Sequence, residues 1–225
     1  MLNSGINVLF EGINLQRLLE GLLVTLKVAI LAIVVTLVLG VLIGVIRTTT
    51  NKFVLILFRL YLEVFRIIPI LVWLFVIYYV LPANFGINLE ASVVAFLVFS
   101  LWGAAEMSDI VRGALISLPK HQTESAVALG LTKIQIFRYV LIPQAIKRSI
   151  PPSINLMTRM IKTTALISMI GVIEVIKVGQ QIIELGSKTY PTAAFWVYGF
   201  IFFLYFIICF PLSRLSRRLE KKWAV

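Results

Sequence analysis

Long apolar runs separated by short polar segments dominate the pattern of the chain. Five of these runs are long enough to cross a bilayer, because about 20 apolar residues in a helix span its hydrocarbon core. They cover residues of about 21–46, 53–81, 89–115, 150–173 and 192–212. No small-residue cleavage site follows the first run, so it is interpreted as a span rather than a removed signal peptide. The pattern predicts an all-α, polytopic membrane protein with one membrane domain over residues 1–225.

The composition agrees with a membrane protein and excludes several other classes. Of the 225 residues, 60% are hydrophobic and 14% are charged, whereas soluble domains average about 45–50% apolar and about 25% charged residues. A soluble enzyme and a disordered chain are therefore excluded. Cys209 is the only cysteine and His121 the only histidine. This excludes a disulfide framework and a zinc site of the usual Cys/His kind.

The lysines and arginines are unevenly distributed between the predicted loops. With the N-terminus outside, and with Arg59 and Arg112 of the second and third runs counted on the inner side, fourteen of the 21 basic residues fall on the inner side, three fall outside, and four lie within spans. Because basic residues are retained on the cytoplasmic side, this predicts an outer N-terminus and a cytoplasmic C-terminus. The net charge of +11 then requires no nucleic-acid partner. The tail from Arg214 to Lys222 is interpreted as an anchor to membrane lipid head groups.

The cytoplasmic loop of about 117–149 predicts a pair of short helices. The first covers about 120–129 and is closed by Gly130, which suits a left-handed C-cap. The second opens with the capping-box pattern Thr132-x-x-Gln135, and Pro143 is expected to stop it. An apolar stripe at helical spacing follows the cap: Ile134, Phe137 and Leu141. This face must pack on the underside of the membrane domain, on the lipid surface or on a partner protein.

An ordered set of motifs resembles the permease subunits of ABC importers. Glu124, Ala126 and Gly130, followed by Pro143, match the spacing of the "EAA" loop of these permeases. Other stretches resemble the histidine/glutamine/arginine permease family at the expected places: 65–71, 110–113, 117–120, Gln122, 143–145, 151–152, Asn155 and 162–166. The resemblance covers about residues 15–220. Ser125 replaces the second letter of the motif, a small-for-small change that should preserve helix packing.

The resemblance implies the type I ABC importer permease fold, with five transmembrane helices and a cytoplasmic coupling helix. The coupling helix would lie in a groove of an ATPase subunit, whose ATP-driven closure would reopen the helix bundle to the other side. The residues that would make this contact are Glu124, Ser125, Ala126, Gly130 and Pro143. The chain itself would be a translocation subunit and not an enzyme.

The same resemblance implies the partners and the location. The implied partners are a second permease copy or a close homologue, two cytoplasmic ATP-binding cassette subunits and an extracytoplasmic solute-binding protein. The implied location is a prokaryotic inner membrane. An odd number of spans agrees with the second copy, because one chain cannot form two inverted halves of equal size. The sequence contains no G-x-x-x-x-G-K-[ST] motif, so no cofactor is expected here, and ATP and Mg would bind to the partner subunit.

Polar and charged residues on three spans predict the substrate site. Ionisable residues inside a membrane are costly and usually functional. At about 1.5 Å per residue, four of them lie about 14–18 Å from the inner ends of their spans, namely Glu63, Glu106, Arg159 and Lys162, and Asp109 lies one turn lower than Glu106. The predicted substrate-binding residues are Glu63, Arg66, Glu106, Asp109, Asn155, Arg159, Met160, Lys162 and Thr163. Structural pairing of Glu63 with Arg66, or of Asp109 with Arg112 or Arg159, is the alternative. Pro69 is expected to break the second span and free backbone carbonyls.

The substrate expected from this layer is a polar amino acid, since both signs of charge are present for its carboxylate and its ammonium group. Glu106 is acidic where the family commonly has tyrosine, which favours a basic substrate such as arginine, lysine or histidine. The alternative is an importer for glutamine, glutamate or another polar amino acid. A membrane-embedded enzyme would need clustered Asp or His motifs, and a channel would not need a capped cytoplasmic helix pair.

Overall fold

The computed structural model describes residues 5–48 and 51–223, and these residues form helices and no strand. Short 3₁₀ segments cover Gly5–Leu9 and Thr164–Ile170, and π-helical segments cover Val76–Val80 and Ile136–Leu141. The α-helices are α1 (Asn14–Ile46), α2 (Lys52–Ile67), α3 (Ile70–Phe75), α4 (Leu81–Phe85), α5 (Ala91–Ile116), α6 (Lys120–Ala128), α7 (Lys133–Gln135), α8 (Ile142–Thr163), α9 (Val175–Gly186) and α10 (Ala193–Trp223).

Three described helices, α1, α5 and α10, are long and apolar enough to cross a membrane, by length and composition. The number rises to five if each of two interrupted helix pairs counts as one span. The apolar runs at about 21–46, 89–115 and 192–212 lie almost entirely within the three unbroken helices. The runs at about 53–81 and 150–173 fall in the interrupted pairs. All the apolar runs therefore fold as helix, although two of them do so with a break.

The break in the second span occurs where Pro69 predicts it. The helix α2 ends at Ile67, and Ile68 adopts extended backbone with φ −77° and ψ 126°. The residue before a proline is disfavoured in the helical region because the proline ring crowds its backbone. A new helix begins at Ile70. The predicted break is confirmed.

The predicted helix stop at Pro143 is wrong. The π-helical segment Ile136–Leu141 continues directly into α8, which contains Pro143 in its first turn. There the missing N–H of a proline is tolerated. The ring would normally crowd the carbonyl four residues earlier, but the preceding turn is widened, and the Ile142 N–H donates to the Phe137 carbonyl five residues back. The loop at about 117–149 therefore continues into α8 without an interruption of the helix.

The chain forms two compact units, each made from several parts of the sequence. The first unit contains Met1–Ala32, Ile70–Phe99 and Arg159–Pro211. The second unit contains Ile33–Pro69, Ser100–Thr158 and Leu212–Val225.

A buried carboxylate fixes the start of α9 in the first unit. Glu174 is fully buried and caps α9 by accepting from the Lys177 N–H at 2.9 Å. The Thr25 hydroxyl of α1 donates to the other carboxylate oxygen of Glu174 at 3.2 Å. Gly21 permits this close approach, because a Cβ there would lie 3.0 Å from the Val175 backbone. The surrounding core includes Leu18, Val178, Ile182, Val197 and Ile201.

Replacing Thr25 by valine is expected to destabilise the protein, because it leaves a buried carboxylate with one donor fewer. An unsatisfied buried group costs about 1–3 kcal/mol, which lowers Tm by about 2–4 °C per kcal/mol for a chain of this size. The measurement is thermal unfolding of the purified protein. The control is Thr48→Val, because the Thr48 hydroxyl is exposed and bonds only to the Val45 carbonyl at 2.7 Å. Equal Tm values for the two variants would contradict this role of Thr25.

The second unit packs the end of α5 against the start of α8. Ala114, Leu118 and Ala145 form a small buried cluster, on which Leu115 and Leu141 also pack. Both ends of the loop at about 117–149 are therefore fixed by one apolar cluster.

Candidate functional site

A cluster of four charged side chains joins α1, α2 and α5 in the second unit. The Arg47 Nη1 donates to the Asp109 Oδ1 at 2.9 Å, and the Arg66 Nε lies 3.1 Å from the Glu106 Oε1. Arg66 also pairs with the second oxygen of Asp109. The cluster holds two arginines against two acids, so its formal charges cancel. Asp109 bridges the two arginines and is its central member.

Helix geometry explains why these residues meet. Glu106 and Asp109 are three positions apart on α5 and share a face. Two glycines on α1 allow close packing on the same helix: a Cβ at Gly44 would lie 2.7 Å from the Val111 Cβ. This contact brings Arg47, which directly follows α1, beside Asp109. Gly40 and Gly44 form the small-x₃-small pattern of tightly packed membrane helices.

Beside the cluster lies an open cavity of about 610 Å³. Four arginines line it together with Glu63 and Asp109, so its lining carries an excess of positive charge. An excess of guanidinium groups favours a carboxylate-bearing ligand, because arginine presents a fork of donors that fits a carboxylate. The lining residues are Arg47, Leu55, Arg59, Leu62, Glu63, Arg66, Ile67, Asp109 and Arg112.

Two of the pairings weighed from the sequence are wrong. Glu63 pairs with Arg59 at 2.8 Å, one turn earlier on α2, and not with Arg66. Arg112 does not pair with Asp109 among the described residues, and its Nε donates to the Arg47 carbonyl at 3.3 Å. Arg66 instead reaches across to α5, because the acids of α5 are better shielded from solvent than Glu63.

The remaining predicted site residues lie on α8. Asn155 belongs to the second unit and lines a different cavity, described below. The others belong to the first unit, where Met160 is fully buried, Lys162 is exposed and the Thr163 hydroxyl donates to the Arg159 carbonyl at 2.8 Å. Within the second unit, the structure therefore brings together Arg66, Glu106 and Asp109, with Glu63 on the wall of the same cavity. Their contact with a substrate stays a prediction.

Sequence reasoning missed Arg47. It was expected in an inner loop because it follows the first apolar run, yet its side chain is only 11% exposed and is paired. The signal that points to it is the Gly40-x₃-Gly44 pattern, which predicts close packing one turn before Arg47.

The helix pair of the loop at about 117–149 is capped at both predicted positions. Gly130 has φ +77°, its N–H donates to the Val127 carbonyl at 2.9 Å, and the Leu131 N–H donates to the Ala126 carbonyl at 3.1 Å. These two bonds form a Schellman motif, which satisfies the last carbonyls of α6. At α7, the capping box between Thr132 and Gln135 is formed in both directions. Both predicted caps are confirmed.

The turn between these helices presents apolar side chains outward. Leu129 is 81% exposed and Ile134 is 79% exposed, and Val127 is exposed beside them. We call Val127, Leu129 and Ile134 the apolar ridge. Among the predicted coupling residues, Glu124, Ser125, Gly130 and Pro143 are exposed and Ala126 is buried.

The predicted apolar stripe of this loop is only partly correct. Leu141 packs on the buried cluster of α5 and α8, and Phe137 lines an apolar cavity of about 170 Å³ beside it. Ile134 points outward, however, and Ile136 takes the buried position. The physical reason is the π-helical turn, which shifts the helical register after α7.

Comparison with known proteins identifies the family. A family model described as "Binding-protein-dependent transport system inner membrane component" matches residues 36–225. The chain belongs to this family. It is 33% identical over 209 residues to the glutamine transport system permease protein GlnP of Escherichia coli K12, covering 92% of this chain and 93% of that protein. A putative GlnP of Rickettsia bellii is 32% identical with the same coverage.

Solved structures confirm the permease fold. A crystal structure of an amino acid ABC transporter with histidines matches with a TM-score of 0.83 and 29% identity, over 92% of this chain and 94% of that one. The MetNI methionine ABC transporter in an inward-facing form matches with a TM-score of 0.63 and 22% identity, which shows the fold alone. The resemblance to importer permeases and the all-α permease fold predicted from the sequence are confirmed. The chain is the membrane component of a transport system.

Proposed function

We propose that this permease subunit translocates polar amino acids by alternating access, driven by ATP hydrolysis on a separate subunit. The observation that supports it most strongly is the similarity to glutamine permeases over 92% of the chain. The exposed apolar ridge adds physical support, since a rigidly capped apolar projection is suited to a groove on a partner protein. Bond chemistry is not required of any residue in this chain.

The proposed assembly contains two permease subunits, identical or closely homologous, with two cytoplasmic ATP-binding cassette subunits and an extracytoplasmic solute-binding protein. The family description itself supports a binding protein. ATP and Mg bind to the cassette subunits in this proposal, because the sequence lacks a phosphate-binding loop. The proposed location is a prokaryotic inner membrane, with the N-terminus outside and the C-terminus in the cytoplasm. The excess of basic residues in the predicted inner loops supports this orientation.

Glutamine-like amino acids are the substrates that the charge cluster supports best. Glu106 and Asp109 are both engaged by arginines, so neither carboxylate is a vacant partner for a cationic side chain. The arginine-rich cavity offers donors for the carboxylate that every amino acid carries. The proposed substrate contacts are those of the sequence prediction with Arg47 added, except Asn155, which lines a different cavity.

Basic amino acids are the second candidate. Two acids lie one helical turn apart on α5, and an incoming guanidinium or ammonium group can exchange with Arg66, which is about half exposed. A solved relative, the amino acid transporter with histidines, lends this candidate further support.

The test is reconstitution of the complete complex in proteoliposomes, with its binding protein loaded in turn with each of the twenty amino acids. Glutamine is expected to stimulate ATP hydrolysis and to be transported, and arginine is expected to do so less. Strong preference for arginine would favour the second candidate. Transport without any ATPase subunit, or no stimulation by any amino acid, would overturn the proposed function.

If the second candidate is correct, Glu106→Gln is expected to raise the ratio of glutamine uptake to arginine uptake, because a cationic substrate then takes the place of Arg66 at this carboxylate. The change replaces a carboxylate that a cationic substrate would use with a neutral amide of nearly the same shape. A partly shielded ion pair is worth about 1 kcal/mol, or about fivefold in this ratio. Uptake of the two labelled amino acids is measured in the same proteoliposomes. The control is Glu90→Gln, an exposed acid just before α5, and an unchanged ratio in Glu106→Gln would contradict a role in selectivity.

A further inference from the structure

A second polar groove lies between the start of α8 and the end of α10, in the second unit. Its volume is about 440 Å³, and Lys147, Arg148 and Asn155 of α8 face Glu220 and Trp223 of α10 across it. Neither the charge cluster nor the apolar ridge includes any of these residues. The groove therefore needs an explanation of its own.

Hydrogen bonds hold both walls of the groove in place. The Ser216 hydroxyl, fully buried, donates to the Pro151 carbonyl at 2.9 Å and so ties α10 to α8. The Arg148 Nη1 donates to the carbonyl and the hydroxyl of Ser117 at 2.8 and 3.1 Å. A guanidinium has five donors, so Arg148 keeps others for a ligand. The groove is thus preorganised.

The chemistry of the lining fits a monoanion. Lys147 and Arg148 carry two positive charges and Glu220 one negative charge, which leaves the groove with a net charge of +1. A phosphodiester carries one negative charge and accepts hydrogen bonds through its oxygens, as ammonium and guanidinium groups require. Asn155 and the indole N–H of Trp223 are further polar groups on the same walls.

The depth of the groove in the membrane agrees with a lipid head group. Lys147 and Arg148 precede the apolar run that begins near Ile150 by three and two residues, or about 3–5 Å along the helix. The head-group layer on each side of a bilayer is about 5–7 Å thick. Both basic side chains of the groove are therefore expected within this layer.

We propose that the groove binds the phosphate of a membrane phospholipid, with Lys147 and Arg148 holding its oxygens. This is more specific than anchoring by the basic tail, since scattered lysines and arginines need no cavity. The proposal depends only on the chain being a membrane component and not on the substrate proposed above. Free phosphate shares the same chemistry and is separated by experiment.

The test measures lipid binding to the purified complex in detergent by native mass spectrometry, with phosphatidylglycerol as the probe. A galactolipid with the same acyl chains provides a phosphate-free comparison, and inorganic phosphate provides a lipid-free one. Lys147→Gln is expected to weaken retention of phosphatidylglycerol about tenfold, as expected for the loss of one charge-assisted hydrogen bond. The matched control is Lys222→Gln, which removes the same charge from the end of α10 but not from the lining. It is expected to bind as the parent does.

Each outcome decides the proposal. A selective loss in Lys147→Gln, with the galactolipid not retained, supports a phospholipid site. Equal weakening in both variants would show general attraction by the tail and would overturn the proposal. If inorganic phosphate at micromolar concentration displaces the lipid completely, the groove is a free-phosphate site. If Lys147→Gln loses the ATPase subunit but retains the lipid as the parent does, the groove is a protein contact. Both of these results would also overturn the proposal.

Discussion

Leu129→Glu is expected to abolish coupled transport while leaving the membrane fold intact. Leu129 belongs to the apolar ridge and is 81% exposed, so little of its side chain packs against the rest of the chain. If the ridge docks in a groove of the ATPase subunit, the variant buries an unpaired carboxylate there. Truncating a central interface residue costs at least about 2 kcal/mol, or about thirtyfold in affinity. Co-purification of the ATPase and binding-protein-stimulated ATP hydrolysis in proteoliposomes measure this loss.

The control for this prediction is Leu129→Met, which keeps an apolar side chain of similar volume at the same position. It is expected to retain the ATPase subunit and most of the transport, since volume-conserving apolar changes cost little. Thermal unfolding of the isolated permease should be the same for both variants. Full transport by Leu129→Glu would contradict docking through the ridge.

The structure of the loop at about 117–149 was predictable from the sequence where the determinants are local. Gly130 provides the positive φ that the end of α6 requires, and Thr132 with Gln135 forms the capping box, because both signals act within a few residues. The fate of Pro143 was not predictable in the same way. A proline stops a regular α-helix, but a π-helical turn widens the backbone before it, and sequence periodicity does not reveal that turn.

The candidate site was predictable only in part, because it depends on tertiary packing. The helical spacing of Glu106 and Asp109 places both acids on one face, and the structure agrees. Which arginine meets them depends on how closely α1 approaches α5. That approach is set by Gly40 and Gly44, which are far from Glu106 and Asp109 in the sequence. Arg47 was therefore missed, and Glu63 was paired with the wrong arginine.

The breaks in two of the spans were also predictable only in part, because they depend on both local signals and long-range contacts. An apolar run of sufficient length predicts a span, and the three unbroken helices follow this rule. Pro69 gave a local signal for the break in the second run. In the run at about 150–173 the backbone leaves α8 for a 3₁₀ segment after Thr163, which no local signal in the sequence predicts, and it turns at Gly171, where φ is +89°. The buried cap of Glu174 on α9, which is a long-range contact to Thr25, completes that turn.

Asp109→Asn is expected to have the largest effect within the charge cluster. Asp109 accepts from both Arg47 and Arg66, and an asparagine keeps the shape but removes the charge that both arginines face. Arg47 is 11% exposed, so it would be left as a nearly buried cation without its carboxylate. Hydrogen bonds to charged groups contribute about 1.5–3 kcal/mol each. A loss of about 2 kcal/mol in thermal unfolding is therefore expected. A fall of about tenfold or more in transport is also expected, because Arg66 would keep only Glu106 as its charged partner and would be held less firmly on the cavity wall.

Glu63→Gln is the matched control, since it removes an acid from the wall of the same cavity. Its partner Arg59 is 78% exposed and Glu63 is 50% exposed, and exposed pairs of this kind contribute about 0–1 kcal/mol. Thermal unfolding of the purified complex should therefore shift little. High salt should reduce the small contribution of the Arg59–Glu63 pair further, because solvent ions screen exposed charges, and should leave the shielded Arg47–Asp109 pair nearly unchanged. Equal losses of stability and transport in the two variants would show that the cavity responds to its total charge, and would contradict a central role for Asp109.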